Sequence, residues 1–374
     1  MSAPEPERLP PGLVSLADHE ALARTRLDAN ALAYFEGGAG DEHTLGANRE
    51  AWNEIALYPR ILRRLAAGST RTTLLGRSLA HPILLAPVAF QRLAHADGEL
   101  ACAHAAAAQG AGMVVSTQAS ISLERIASAI ADDPERGPLW FQLYLQHDRG
   151  FNRELLARVE AAAYEALVLT VDAPCSGARD RERRAGFSLP PGISAVNLAA
   201  LPPRPRTGGS GLCGGLMELA PDWDELAWLQ QNTHLPILLK GILRPDDARL
   251  AADAGVAGLI VSNHGGRVLD TAVATARALP AIAEAIGHRL PLLVDGGIRR
   301  GTDVLKAIAL GADAVLVGRP AIHGLACAGA LGVAHVLRLL RDELEIAMAL
   351  CGCARIEDIT RDVLDRGEGQ RRHT

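Results

Sequence analysis

A histidine and an arginine three residues apart, in Ser262-Asn263-His264-Gly265-Gly266-Arg267, follow directly on the apolar run Gly258-Leu259-Ile260-Val261. Histidine is the side chain whose ordinary pKa suits it to take a proton near neutrality. Arginine offers a planar fork that holds a carboxylate through two hydrogen bonds. A base beside a carboxylate clamp implies chemistry on a small organic acid. A structural histidine on a glycine-rich turn is the other reading of the hexapeptide alone.

The same pattern recurs along the chain. Short apolar or β-branched runs lie at 82–86, 112–115, 139–143, 166–171, 236–239, 258–261, 291–294 and 314–317. Most are separated by helix-length segments, which describes repeated βα units around a parallel sheet. Helix ends are legible: Asp97 is expected to cap 98–109 with Gly110 ending it, 302–310 ends at Gly311, and 245–253 ends at Gly255. Eight such units predict an α/β fold of the closed (β/α)8 TIM-barrel class. An open doubly wound sheet is the rival, weakened because the first strand is not followed by G-x-G-x-x-G.

The runs end in polar or ionisable residues: Ser116 with Gln118, Gln142 with Tyr144, Thr170 with Asp172, Lys240, Ser262 with His264 and Arg267, Asp295, and Gly318-Arg319. Only the first, ending in Pro87-Val88-Ala89, does not. Barrel enzymes build their sites on the C-terminal face of the strands, and buried charges without partners cost several kcal/mol. So regular a gathering at one rim implies an enzyme. Asp295-Gly296-Gly297-Ile298-Arg299-Arg300-Gly301 and Gly318-Arg319-Pro320 follow the last two runs, where barrels of this class hold phosphate. A phosphorylated substrate or cofactor is expected.

Taken in order, Tyr34-Phe35-Glu36-Gly37-Gly38-Ala39, Leu85-Ala86-Pro87-Val88-Ala89, Trp140-Phe141-Gln142-Leu143-Tyr144, Leu169-Thr170-Val171-Asp172, Leu239-Lys240-Gly241 and the two glycine-rich segments quoted above resemble one family. It is that of the FMN-dependent (S)-2-hydroxy-acid oxidases and dehydrogenases, which includes glycolate oxidase, lactate oxidase, lactate monooxygenase and mandelate dehydrogenase. The likeness runs from about Tyr34 to Ile359.

The resemblance implies roles. His264 takes the substrate's proton and Asp172 stabilises the imidazolium. Arg179 and Arg267, helped by Tyr34, bind the substrate carboxylate, and Tyr144 bonds its hydroxyl. Lys240 lies at the N1–O2 edge of the flavin. Pro87, Val88 and Ala89 back the ring near N5. Ser116, Gln142, Thr170 and Ser262 bond its edge and ribityl chain, and Asp295, Gly297, Arg299, Gly318 and Arg319 hold ribityl and phosphate. Gln118 stands where glycolate oxidases carry Trp and lactate oxidases Tyr, so the substrate side chain cannot be copied from either. Ala89 stands where some mandelate dehydrogenases and monooxygenases have Gly, which leans toward an oxidase.

Net charge is −5, which leaves no nucleic-acid footprint. The mixed-sign block Arg179-Asp180-Arg181-Glu182-Arg183-Arg184 reads, beyond Arg179, as a solvated face. The six cysteines show no C-x-x-C spacing and read as buried thiols of a reducing compartment. No run approaches a membrane span, the N-terminus lacks the order of a signal peptide, and Arg371-Arg372-His373-Thr374 is no peroxisomal address, so a cytoplasmic protein free of membrane is expected.

The chain reads as one domain over 1–374. Its first 80 residues form an extension of helices and an extended segment behind a disordered tail (1–13). The barrel spans 81–330 and C-terminal helices 331–374. The long connection 184–220, rich in Pro and Gly, reads as a mobile active-site loop. Three functions stand open: an oxidase of 2-hydroxy acids yielding hydrogen peroxide, a dehydrogenase of the same acids passing electrons to a quinone or other acceptor, and a non-enzymatic phosphate-binding barrel. The resemblance further implies a homotetramer.

Overall fold

The computed structural model describes residues 8–203 and 220–365. Three helices, α1 (Leu16–Arg26), α2 (Ala29–Glu36) and α3 (His43–Asn53), come first, then a hairpin of β1 (Thr72–Leu74) and β2 (Arg77–Leu79). Eight parallel strands follow: β3 (Ile83–Leu85), β4 (Gly112–Ser116), β5 (Leu139–Leu143), β6 (Ala166–Thr170), β7 (Ile237–Ile242), β8 (Gly258–Val261), β9 (Leu292–Val294) and β10 (Ala314–Val317). They pair in chain order and β10 closes on β3, so the sheet is a closed (β/α)8 barrel and the open-sheet rival falls. Closure leaves no unpaired strand edge.

Helices α4 (Gly98–Gln109), α5 (Leu123–Ala129), α6 (Arg149–Ala161), α7 (Asp180–Ala185), α8 (Trp223–Gln231), α9 (Pro245–Asp253), α10 (Thr275–Ile286), α11 (Gly301–Ala309) and α12 (Arg319–Leu350) supply the connections and the outer layer. Side-chain oxygens of Ser15, Asp28, Ser122, Asp148 and Asp222 accept the first free N–H groups of α1, α2, α5, α6 and α8. Asp97, expected to cap α4, makes no such bond, because it already has helical angles (φ −82°, ψ −12°). The buried Glu99 carboxylate, two residues on in the first turn, instead accepts from Gln91 N and from Ser120 N and Oγ.

The period of two along a strand divides each one between two environments. Leu84, Val114, Trp140, Val168, Leu238, Ile260, Leu293 and Leu316 fill the barrel interior in one cluster, to which the hairpin adds Leu74 and Leu79. Their neighbours, such as Ile83, Val115, Phe141, Leu169, Leu239 and Val261, pack against the helices. Two residues beyond each inward-facing apolar residue, again pointing inward, come Ala86, Ser116, Gln142, Thr170, Lys240, Ser262, Asp295 and Gly318. Strand period alone therefore lays a polar floor over the apolar core.

Two further expectations need correction. The connection after β6 is not a loop throughout. It holds α7 and a 3-10 turn at Val196–Leu198, where Val196 N donates to Ala119 O and buried Asn197 accepts from Leu123 N. This stretch is docked on the barrel; the segment 204–219, with Cys213 and the glycine-rich 207–211, lies outside the described residues. Against the expectation that no run approaches a membrane span, α12 is long and apolar enough to cross one. However, 72% of its apolar window is buried inside the protein. The helix also breaks at Ala328 and Gly329, whose backbone angles are not helical. The described cysteines are free thiols; Cys102, Cys327, Cys351 and Cys353 are buried, and Cys175 is half-buried on the rim.

The N-terminal helices fix the loop after β9. Buried Trp52 of α3 donates from Nε1 to Gly296 O at 2.8 Å, and Gly297 (φ 84°) lies so close beneath α3 that a Cβ would fall 2.1 Å from Asn48 O. Gly192 has nearly the same φ (83°) in open space. Gly297→Ala should therefore lower the melting temperature well beyond Gly192→Ala. Left-handed strain is common to both, and crowding adds a cost of about 1–3 kcal/mol at Gly297. Equal shifts in the two melting curves would refute the crowding argument.

Candidate active site

A cavity of about 550 Å³ opens over the polar floor. Three strand ends are joined beneath it: Ser116 Oγ donates to Gln142 Oε1 (3.2 Å), and Gln142 Nε2 donates to Thr170 Oγ1 (3.0 Å). On the other side Lys240 Nζ donates to Ser262 Oγ (2.8 Å) and lies 3.2 Å from Asp295 Oδ2. Burial works against the charge on Lys240, but Asp295 and Asp172 outweigh it and hold its pKa above the usual lysine value. Pro87, Val88, Ala89 and Gly318 wall the cavity. Ser262 departs from expectation. It is fully buried and does not line the cavity, because its hydroxyl bonds Lys240 and accepts from His264 N (3.0 Å).

His264 leaves β8 in the left-handed region (φ 58°), as do Gly265 (62°) and Gly266 (76°). For a non-glycine residue this is uncommon, and such conformations gather at functional sites. The turn swings the imidazole back over the rim, where its Nδ1 meets Asp172 Oδ1 from the end of β6 at 2.9 Å. Burial works against the Asp172 charge, yet the hydrogen bond and charge of His264 outweigh it and hold the carboxyl below its ordinary pKa. Asp172 is therefore the acceptor, Nδ1 carries the proton, and Nε2 is unprotonated and can accept one. Burial also keeps the imidazole pKa below 6.5, despite the opposing pull of Asp172. Tyr144 Oη lies 3.3 Å from Nε2, and burial pushes its pKa up to about 12, so it remains a donor.

Arg179, Arg267 and Tyr34 line the same cavity, with the Arg267 guanidinium 5.0 Å above the Tyr34 ring. Arg267 also donates to the carbonyls of Tyr34 and of Gly37 (2.8 Å for the latter). Phe187, just beyond α7, stacks on Tyr34 at 4.9 Å and joins the lining, as do Gln118 and the small residues Pro174, Cys175 and Ser176.

Two polar residues, like Phe187, lie beyond those that the sequence analysis singles out. Glu182 belongs to the block read as a solvated face, but its side chain is 14% exposed, and Oε1 accepts from both Arg179 Nη1 (3.2 Å) and Arg267 Nη2 (3.1 Å). The Arg179–Glu182 spacing of three, one helical turn, was the available signal. The rest of the block fits the expectation, since the Arg183 and Arg184 side chains are 71% and 78% exposed. Asn48 exchanges two 2.8 Å hydrogen bonds with Asn263, tying α3 to the histidine loop. Nothing in the sequence marks that pair.

At the far end of the cavity stand Gly296, Gly297, Arg299 and Arg319. Arg319 gives all three donor groups to backbone carbonyls, those of Phe35, Gly265 and Gly37. Among the described residues it has no carboxylate within ion-pair distance, and burial, with Arg267 and Arg299 nearby, pushes its pKa down to about 9. Arg299 is also held below its usual value by burial and by Arg49, and its Nε makes no hydrogen bond. Asp295 Oδ1 is likewise left without one. Two under-compensated guanidiniums beside a glycine-lined turn and the N-terminus of α12 are what a phosphate requires, and the unmatched Asp295 oxygen suits a ribityl hydroxyl. FMN therefore fits these residues. Arg319→Met should weaken FMN binding to apoprotein at least ~10-fold, about 1.4 kcal/mol, read from quenching of flavin fluorescence. Unchanged affinity would remove Arg319 from the phosphate site.

Residues 23–366 match the FMN-dependent dehydrogenase family. The chain is 51% identical over 362 residues to an L-lactate oxidase of Alicycliphilus denitrificans, covering 96% of this chain and 98% of that one. It is 44% identical over 354 residues to a glycolate oxidase of Zea mays, with coverages of 93% and 95%. A crystal structure of mandelate oxidase with benzoyl-formic acid superposes with a TM-score of 0.84 at 43% identity, covering 94% of this chain and 98% of that one. With the barrel, the base and the phosphate end already in place, this chain belongs to the FMN-dependent dehydrogenase family and FMN is its cofactor.

Proposed function

We propose that the protein is an oxidase of (S)-2-hydroxy acids, with L-lactate its first substrate. The observation that carries this is the His264–Asp172 pair facing the same cavity as Arg179 and Arg267. Relatives named L-lactate oxidase, 48–51% identical over nearly their whole length, support the substrate and the use of dioxygen. The substrate loses two electrons and two protons to become the 2-oxo acid, and dioxygen gains both to become hydrogen peroxide. FMN, when bound, accepts the electrons and passes them to dioxygen.

Arg179 and Arg267, with Tyr34, hold the carboxylate and so fix which face of the carbon meets the cofactor. Tyr144 donates to the substrate hydroxyl. His264 Nε2 takes a proton from the substrate, and Asp172, accepting at Nδ1, stabilises the resulting imidazolium. Lys240 stays charged beneath the cofactor site through its pairing with Asp295. Gln118, in place of an aromatic residue, leaves room for side chains longer than a methyl group. A homotetramer working in the cytoplasm, without membrane attachment, completes the proposal. The family resemblance supports the tetramer, the sequence reading supports the location, and light scattering of the purified protein measures the assembly.

The test is a panel of glycolate, L-lactate, D-lactate and (S)-mandelate with peroxide measured per turnover. L-lactate should give the highest kcat/KM, D-lactate none, and peroxide should match pyruvate mole for mole. Turnover that needs an artificial dye and yields no peroxide would make the protein a dehydrogenase instead.

The protonation states give a second expectation. Neutral His264 is the active form, and burial holds its pKa down, so kcat/KM should rise with pH and level off, with a midpoint below 6.5. Asp172 raises the His264 pKa, so Asp172→Asn should shift this limb to lower pH while the plateau falls ~10²–10⁴-fold, the usual range for base catalysis. A limb that moves upward, or a plateau that survives, would contradict the pairing.

A further inference from the structure

Glu182 adds negative charge to a place built to receive it from a ligand. A single oxygen, Oε1, lies within 3.2 Å of one guanidinium and 3.1 Å of the other, and all three side chains are at least four-fifths buried. Arg179 and Arg267 repel each other across this site. With Glu182 the three groups sum to one positive charge, which one carboxylate cancels. Lacking Glu182 they would carry two. Charges a few ångströms apart on largely buried side chains act strongly on each other, and an uncompensated buried charge is costly.

We propose that Glu182 sets the charge of the clamp and thereby makes the enzyme select 2-hydroxy monocarboxylates over 2-hydroxy dicarboxylates. The inference rests on the hydroxy-acid reading above. A first carboxylate satisfies the clamp, and a second enters a cavity with no positive charge left for it on that side. The charge of the substrate's side chain, and not its size alone, is then a criterion for turnover.

The experiment compares FMN-loaded wild type, Glu182→Gln and Glu182→Asp on three acids. These are L-lactate, (S)-malate, and the analogue of malate whose distal carboxylate is a carboxamide of the same shape. Wild type should turn over the carboxamide at least ~10-fold better than malate by kcat/KM. In Glu182→Gln that gap should close, and the lactate-to-malate ratio should fall at least ~10-fold. Glu182→Asp, which keeps the charge, should retain the discrimination even if kcat/KM drops for every acid. The flavin spectrum and melting temperature report whether each variant is folded and loaded.

Equal loss on all three acids in Glu182→Gln, with ratios unmoved, would reduce Glu182 to a structural brace and overturn the inference alone. If that variant does not fold, the wild-type comparison still decides: equal kcat/KM for malate and its carboxamide would overturn it. A folded, FMN-loaded wild type that oxidises none of these acids would overturn the hydroxy-acid reading itself, and this inference with it.

Discussion

Charge gathered in one cavity at the barrel rim is the constraint on which the rest of this structure depends. Among the described residues, five cationic side chains, Arg179, Lys240, Arg267, Arg299 and Arg319, line the space over the barrel with two carboxylates, Glu182 and Asp295. Asp172 stands just behind them on His264. Buried charges are tolerated only when paired and hydrogen-bonded. The surplus is positive, and it suits a phosphate at one end and a substrate carboxylate at the other. The N-terminal helices, besides packing into the core, help to make the surplus bearable. Carbonyls of Phe35 and Gly37 solvate Arg319, that of Gly37 also solvates Arg267, and Glu20 and Glu36 moderate Arg299. What looks like an appendage to the barrel supplies polar partners to its site.

The base depends on the same economy of partners. His264 and Asp172 come from the ends of strands separated in the barrel by β7, and they meet because the chain after β8 turns through three left-handed residues in succession. Ser262 anchors that turn from below by accepting the His264 N–H, and Asn48 anchors it from outside through Asn263. The result is an imidazole whose tautomer is set by one carboxylate and whose burial keeps it neutral. That is the state a base needs before substrate arrives.

How much of this was legible in the sequence can be judged from particular residues. All eight barrel strands were visible as apolar runs because each is buried on both faces, and most of their ends fell within a residue or two. The inward period of two carried Gln142, Thr170, Lys240 and Asp295 to the floor of the cavity, so their positions followed once the strands were placed. The same period reaches Ser262. It belongs to that inner layer, but Lys240 and the His264 backbone claim its hydroxyl, and no pattern along the chain reveals a bond to a residue twenty-two positions away. Glu182 was misjudged because a run of alternating charges usually faces water; here one member of the run turns inward while its neighbours do not.

The barrel, the rim on which chemistry could occur, and the residue types gathered there can be read along the chain, because strand burial and strand period are local properties written residue by residue. The tertiary structure alone decided which of those groups pair. It set Asp172 against Nδ1 of His264, placed Glu182 between two arginines, gave Arg319 backbone carbonyls as partners, and folded α3 over Gly297. Each of these depends on the approach of segments between three and more than two hundred residues apart. Electrostatic and steric terms of that kind are fixed by distance in space, which the order of residues along the chain does not contain.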